Sequence, residues 1–388
     1  MESLREFFES GKPAVLVDRK RENEADFVFP AQLITEEVAN FFVTHGKGLF
    51  CVAADEEDLL RRGFVKLSSN YQANYFLPVD WGSGTGISAS ERAETCRKVA
   101  EGKFFHEFRY PGHVAVLGGV GFQRRQGHTE ASLEIVQLAG YNRYAVIIEI
   151  LSDRGDSHDL DFVFRLAEKF SLPVLEMEEV WQEFIRKKQL ITKKAEANLP
   201  TDFGVFKIVS FENHLDNKEH FAVVKEPFGE VVPVRIHSEC VTGDVLSSLK
   251  CDCGSQLANF LRYMSAHGGI LIYLRQEGRG IGLSNKIAAY SLQDKGLDTV
   301  EANRVLGFSE DERDYAPAAQ ILKALGIERV LLFTNNQRKT VGLEKYGIEV
   351  VETKRLYGRV TPHNRFYLST KMKKLGHELE EIFREVNS

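Results

Sequence analysis

Arg235-Ile-His-Ser-Glu-Cys240-Val-Thr-Gly-Asp-Val-Leu-Ser-Ser-Leu-Lys-Cys251-Asp-Cys253-Gly254-Ser-Gln256 gathers three of the chain's five cysteines into 22 residues. Cys251 and Cys253 flank one acidic residue, a separation too short for an unstrained disulfide. Thiolates this close suit a soft, tetrahedral Zn²⁺ site. The residues allow more than one arrangement. Cys240, Cys251 and Cys253 with an open fourth position form the pattern of a catalytic zinc, whereas His237 as a fourth ligand would close the site into a structural one. Buried cysteines beside a loop are the plain alternative.

Outward from this stretch the pattern is that of an α/β domain. Strands are expected over 205–211, 221–225, 231–236, 270–274, 330–334 and 348–352, and helices over 256–267, 283–295, 318–325 and 340–346. The strand at 270–274 runs into Arg275-Gln-Glu277-Gly278-Arg279-Gly-Ile-Gly282. A glycine-rich turn before a helix offers backbone amides and a helix dipole to phosphates. It lacks the Gly-Lys-Ser/Thr ending of a P-loop. Thr299, Asp311, Arg313, Thr334 and Lys339 add polar side chains near expected element ends, where α/β domains hold nucleotides.

The first half also alternates. Strands are expected at 13–17, 49–53, 144–151 and 172–176, and helices at 35–42, 88–101, 130–139, 162–170 and 181–188. The polar, basic, proline-terminated residues 187–200 read as a linker. This gives two domains, 1–197 and 198–388, of the α/β and α+β classes, each a mixed sheet with packed helices. A charged amphipathic helix is expected over 372–386. A chain of 388 residues can supply a full core to each domain.

Composition narrows the function classes. With 43% hydrophobic and 27% charged residues the chain is an ordinary folded protein. A net charge of −6 argues against a dedicated nucleic-acid binder, and no apolar run has the length of a membrane span. An odd number of cysteines without paired spacings fits a reducing cytoplasm.

In the first half, Arg21-Glu22-Asn23-Glu24-Ala25-Asp26 packs three carboxylates and a guanidinium directly after a strand. Carboxylate oxygens suit a hard divalent cation, and arginine a sugar phosphate; a solvated charged turn is the bland alternative. Arg125-Gln126-Gly127-His128-Thr129-Glu130 stands at an expected helix N-terminus, a ready anion site. His113, in Pro111-Gly-His113, and Glu149 add a candidate acid and base.

Together with Gly48-Leu-Phe-Cys51-Val-Ala and Gly86-Ile-Ser-Ala-Ser-Glu-Arg92-Ala-Glu-Thr95, these motifs resemble 3,4-dihydroxy-2-butanone 4-phosphate synthase, which acts on ribulose 5-phosphate. The resemblance implies that Glu22 and His128 hold Mg²⁺ or Mn²⁺. Arg21, Glu22, Asp26, Cys51, Glu149 and residues Arg125, Gln126, Gly127, His128, Thr129 and Glu130 would bind substrate, with His113 and Glu149 transferring protons. Enolisation, dehydration and a carbon shift need such acid–base groups and a metal beside the developing enediolate charge. Some loops depart from the family: Ala115-Val-Leu-Gly118 replaces its usual Phe-Pro-Leu-Arg, and the usual Met-Ala-Arg after Glu149 is missing.

From about 203 to 371, including Tyr367-Leu-Ser-Thr-Lys371, the second half resembles GTP cyclohydrolase II, with Lys250 where that family often has arginine. The resemblance implies Zn²⁺ on Cys240, Cys251 and Cys253. GTP, carrying Mg²⁺, would be bound by Arg235, Ile236, His237, Ser238, Glu239, Gln256, Glu277, Gly278, Arg279, Thr299, Thr334 and Lys339. Asp311 maps to the general base and Arg313 to the nucleophile towards the α-phosphate, although a clamp on phosphate suits a guanidinium equally well. The expectation is a cytoplasmic, homodimeric, bifunctional riboflavin-pathway enzyme whose partners are small-molecule substrates. The alternatives are a cyclohydrolase with an impaired synthase half serving as scaffold, and a zinc-stabilised adaptor.

Overall fold

The structure, a computed structural model, describes residues 2–70, 73–309 and 311–375. The chain divides into two compact units, Met1–Phe184 and Ile185–Ser388.

The first unit is built on a seven-stranded mixed sheet. Its strands are β1 (Ala14–Asp18), β2 (Glu24–Pro30), β3 (Cys51–Asp55), β4 (Asn74–Asp80), β5 (Arg109–Gly119), β6 (Tyr144–Glu149) and β7 (Val174–Glu176), in the order β4-β5-β3-β6-β2-β1-β7. β1 is buried along its whole length, as its apolar run requires of an inner strand. β1 and β2 form an antiparallel hairpin in which Asp18 faces Glu24. The charged hexamer at 21–26 is thus the tip of this hairpin and the first turn of pleat behind it. Asn23 takes φ +54 there, a conformation that asparagine tolerates. The expected helices form, and Thr35 caps the one at Glu36–His45 by accepting from the Val38 amide at 3.3 Å.

Register decides what meets at one end of this sheet. Cys51 pairs with Ala115 on one side and Ile147 on the other, and Asp26 with Glu149. Two residues beyond the Cys51 row therefore stand His113, Glu149 and Asp26, the last two on adjacent strands about 5 Å apart and His113 on the far side of β3 from them.

The second unit carries another seven-stranded sheet: β8 (Ile191–Thr201), β9 (Gly204–Asn213), β10 (Phe221–Lys225), β11 (Val232–Ser238), β12 (Gly269–Leu274), β13 (Arg329–Phe333) and β14 (Glu349–Lys354), in the order β14-β13-β11-β12-β10-β9-β8. β8, β9 and β10 form an antiparallel meander, whereas β12, β11, β13 and β14 run parallel. From β11 the sheet continues through β12 on one side and β13 on the other, so a crevice opens beyond the carboxyl ends of these strands.

The linker reading fails at 191–201. That stretch is an edge strand paired with β9 along its length, and its exposed Lys193, Lys194 and Glu196 are charges of the kind that keep an edge from recruiting other strands. The expected boundary at 197/198 cuts through it, while the compact units meet at 184/185. Buried Gln320 secures the lead-in: its Oε1 accepts from the Leu190 amide, and its Nε2 donates to the carbonyls of Ile185 and Lys188, each at 2.7 Å. The helix expected over 372–386 falls outside the described residues from 376 onward; a helix over Arg365–Leu375 precedes it.

Candidate active sites

In the first unit the hairpin tip meets the N-terminus of the helix His128–Leu138. His128 is 6% exposed, and its Nδ1 lies 2.8 Å from the Glu22 carboxylate, while its Nε2 is buried with no hydrogen-bond partner. Burial opposes charge on this ring, but Asp26, Glu22 and Asp18 outweigh it and raise the imidazolium to about 9. The same bond from His128 holds Glu22 below the usual carboxylate range. Burial, aided by the charges of Glu149 and Glu22, pushes Asp26 up to about 7 against the pull of His128. Arg21 donates through Nη1 to the Gln126 carbonyl, and Arg125 pairs with Glu130 at 2.7 Å. Gly127 has no room for a side chain, since a Cβ would sit 2.6 Å from the Arg125 guanidinium.

At the sheet end, Glu149 Oε2 accepts from the Leu49 amide at 2.7 Å; a Cβ on Gly48 would collide with that oxygen at 2.3 Å. Cys51 is buried, its thiol 3.2 Å from the Leu49 carbonyl, and burial raises it well above the usual thiol range. His113 is oriented by a residue that sequence reading missed. Asp80, at the end of β4, takes the His113 amide on one oxygen and lies 2.8 Å from its Nδ1 with the other. The His113 side chain remains 46% exposed. Thr129 is buried in the first turn of the helix.

A polar ring with an unsatisfied nitrogen beside a carboxylate is a fit for a divalent cation. Magnesium takes few protein ligands and keeps waters for substrate to replace. Glu22 and His128 are the residues that would hold such an ion.

In the second unit the crevice beyond β11, β12 and β13 is a cleft with polar and charged walls. Cys240 follows β11, and Cys251 and Cys253 open the helix Cys253–His267. Their sulfurs lie within 4.8 Å of one another, Cys240 and Cys251 at 3.7 Å. Tetrahedral zinc with Zn–S of about 2.3 Å places sulfurs about 3.8 Å apart, so the donor set fits zinc. Among the described residues it is the one group of three or more such ligands. Gly243 makes the space: a Cβ there would lie 2.8 Å from Cys251 Sγ and 3.1 Å from Cys240 Sγ. Hydrogen bonds with the other two thiols, together with the nearby Lys286 ammonium, favour the Cys240 thiolate. Facing it, Cys251 is pushed up to about 11.

His237 is no fourth ligand here. Its Nε2 lies 3.0 Å from Asp244, which also accepts from Tyr273 Oη and the Cys240 amide, and burial lowers its pKa. Lys286 donates to Cys240 Sγ at 3.1 Å and to Glu277 at 2.7 Å. Gly278 and Arg279 both take φ +63, which turns the chain sharply after β12. Arg235 donates to Gln256 Oε1 at 2.6 Å and the Phe333 carbonyl at 2.9 Å, and burial pulls it down to about 10.

Of the expected GTP residues, Arg235, His237, Ser238, Glu239, Gln256, Glu277, Gly278, Arg279, Thr299, Thr334 and Lys339 line the cleft, as does Arg313. Ile236 has its side chain in the core; its carbonyl accepts from Lys339 Nζ at 2.7 Å. Burial pushes that lysine well below the usual range. Asp311 lies outside the cleft lining, both oxygens taken by Arg313 at 2.7 and 2.5 Å. Against the effect of burial, Tyr315 and Asp311 raise Arg313 above the usual arginine value. Asp80, Asp244, Asp252 and Lys286 were missed. Asp244 and Asp252 lie within the opening stretch itself and could have been singled out; Asp80 stands 33 residues from its histidine, and nothing local marks it.

The family model for 3,4-dihydroxy-2-butanone 4-phosphate synthase matches residues 2–183, and that for GTP cyclohydrolase II residues 192–355. The chain is 85% identical over 388 residues to riboflavin biosynthesis protein RibBA of Thermotoga maritima, covering 100% of both chains. It is 43% identical to RibBA of Bacillus cereus, covering 98% of each. The crystal structure of RibBX, a two-domain 3,4-dihydroxy-2-butanone 4-phosphate synthase from A. baumannii, superposes with a TM-score of 0.66 at 25% identity, over 92% of this chain and 99% of that one. The chain belongs to the synthase family through its first half and to the GTP cyclohydrolase II family through its second, a lyase and a hydrolase joined as in the RibBA riboflavin biosynthesis proteins.

Proposed function

We propose the following division of labour among residues in this bifunctional enzyme, which converts D-ribulose 5-phosphate to 3,4-dihydroxy-2-butanone 4-phosphate and formate, and GTP to 2,5-diamino-6-(5-phosphoribosylamino)pyrimidin-4(3H)-one, formate and pyrophosphate. In the synthase, Glu22 and His128 hold Mg²⁺ or Mn²⁺, which supplies positive charge beside the enediolate. Arg21, Arg125 and the amides of Gln126, Gly127 and Thr129 take the sugar phosphate. His113, oriented by Asp80, and Glu149, oriented by the Leu49 amide, move protons at the sugar carbons. Asp26 and Cys51 line the substrate side, Asp26 titrating near neutrality as a proton reservoir. Glu130 acts through Arg125.

In the cyclohydrolase, Cys240, Cys251 and Cys253 hold Zn²⁺, a Lewis acid for the hydrolytic opening of guanine at C8. Arg235, Arg279 and Lys339 bind the nucleotide, whose triphosphate carries Mg²⁺. A guanidinium held as a cation by Asp311 is a poor nucleophile, so Arg313 acts as a clamp on the α-phosphate and Asp311 as its orienter. The observation that carries this reading is three thiols within 4.8 Å in the wall of a cleft lined by buried cations.

Both substrates are small molecules, and no helix among the described residues is long and apolar enough to cross a membrane. Free thiols support a cytoplasmic location. Val245 and Leu246, 71% and 70% exposed beside the metal loop, support a homodimer in which a second copy covers them.

The test is formate release from each substrate separately. Wild type should release it from both. Glu22→Ala should abolish release from ribulose 5-phosphate alone, and Cys251→Ser should lose zinc and release from GTP alone. Formate from neither substrate, or equal loss of both activities in either variant, would sink the assignment.

A further inference from the structure

Residues 356–371 follow the segment that the cyclohydrolase family model matches, and they are laced to the metal loop. Asn259 Nδ2 donates to the Tyr357 carbonyl and the Arg359 amide to Ser255 Oγ, both at 2.8 Å. A Cβ on Gly358 would stand 2.7 Å from the Asp252 carbonyl, so this crossing is as tight as backbone allows. Asn364, fully buried, donates to the Arg359 carbonyl at 2.9 Å and reaches that of Cys251 at 3.4 Å.

From the helix Arg365–Leu375, Tyr367 and Lys371 reach the cleft wall. Lys371 Nζ donates to Asp252 Oδ1 at 2.7 Å and lies over the Tyr367 ring. Asp252, 1% exposed and flanked by two cysteines of the metal site, accepts from Gln256 Nε2 at 2.7 Å on its other oxygen. Gln256 in turn accepts from Arg235. A continuous chain of hydrogen bonds thus joins the terminal helix to a buried cation of the cleft. Asp252 is an acceptor-only anion in a buried place, and Arg235 is close enough to feel its charge. Without Lys371, that carboxylate would draw on Arg235 or Gln256 for compensation and turn them from the nucleotide.

We propose that Lys371 is a positioning residue of the cyclohydrolase, fixing Asp252 and thereby aiming Gln256 and Arg235 at GTP, so that the helix Arg365–Leu375 is a working wall of the site. The inference rests on the GTP-binding reading above. The test uses the full chain as wild type, K371M, K371R, D252N and the double variant K371M/D252N. GTP affinity is read by titration calorimetry, zinc retention by competition with a chromophoric chelator, and kcat and KM by ring opening; the synthase rate serves as an internal standard. K371M should weaken GTP binding and raise KM by about 10–100-fold while retaining zinc, the range typical of lost supporting shells. K371R should recover most of the loss, and the double variant should bind GTP no worse than D252N, since one break already disables the chain.

Unchanged GTP affinity in K371M, additive losses in the double variant, or K371R no better than K371M would each overturn the proposal. If K371M loses zinc and its folding transition, D252N decides: wild-type GTP affinity there also overturns it. A wild-type chain that binds GTP with this dependence but opens no ring would sink the cyclohydrolase reading and leave the positioning role standing.

Discussion

Asp26 is a buried carboxyl whose proton is retained to about 7, where an exposed aspartate loses it near 4. A folded-state pKa raised in this way gives stability that is fully present below the unfolded value and is lost as pH rises through the folded one. In metal-free protein, Asp26→Asn should therefore unfold at a temperature close to wild type at about pH 4 and increasingly above it towards about pH 8, with no further gain beyond. Thermal scans of chelator-treated protein across that range check this; a gain that shrinks with rising pH would contradict the burial argument. At this scale the sequence was most legible where chemistry is local. Three cysteines in 22 residues mark a candidate soft-metal site whatever the fold around them. His113 and Glu149 could be named from their motifs, but the Asp80 that aims His113 comes from another strand, and only register brings it there.

At the scale of elements, the strands and helices expected up to residue 371 form because burial and capping write themselves into short windows, although the helix Thr299–Val305 was missed despite its Asp298 cap. Four strands were missed, β2, β4, β5 and β8, and the first and last of them for opposite reasons. β2 begins inside a charged hexamer whose acidic residues belong to the site, so function masks its periodicity. β8 is a sheet edge with almost every side chain exposed, so it has the composition of a linker. Its hold on the unit comes from β9 and from Gln320. Gln320→Ala would remove the side chain's hydrogen bonds to the Leu190 amide and to the carbonyls of Ile185 and Lys188, and should lower the unfolding free energy by about 1–3 kcal/mol. The measurement is the cyclohydrolase unit's calorimetric transition; an unmoved transition would mean that water replaces the amide.

At the scale of the whole molecule, the chain joins two formate-releasing enzymes with opposite tastes in metal. The synthase site offers a carboxylate and an imidazole, the cyclohydrolase site three sulfurs. Hard ions favour the first set and thiophilic ions the second. Cd²⁺ added in the presence of excess Mg²⁺ should produce a thiolate-to-metal absorption band, saturating at one ion per chain, and alter ring opening while the synthase rate holds. Loss of the synthase rate at the same stoichiometry would contradict that sorting. The space left by Gly243 gives the sorting a mechanical side. A side chain at that position would have to displace sulfur, so the close gathering of the three thiols depends on the glycine there. On the zinc assignment proposed above, a cell short of that metal would hold a chain with its synthase in service and its cyclohydrolase waiting, two branches of one pathway released from lockstep by the supply of a single element.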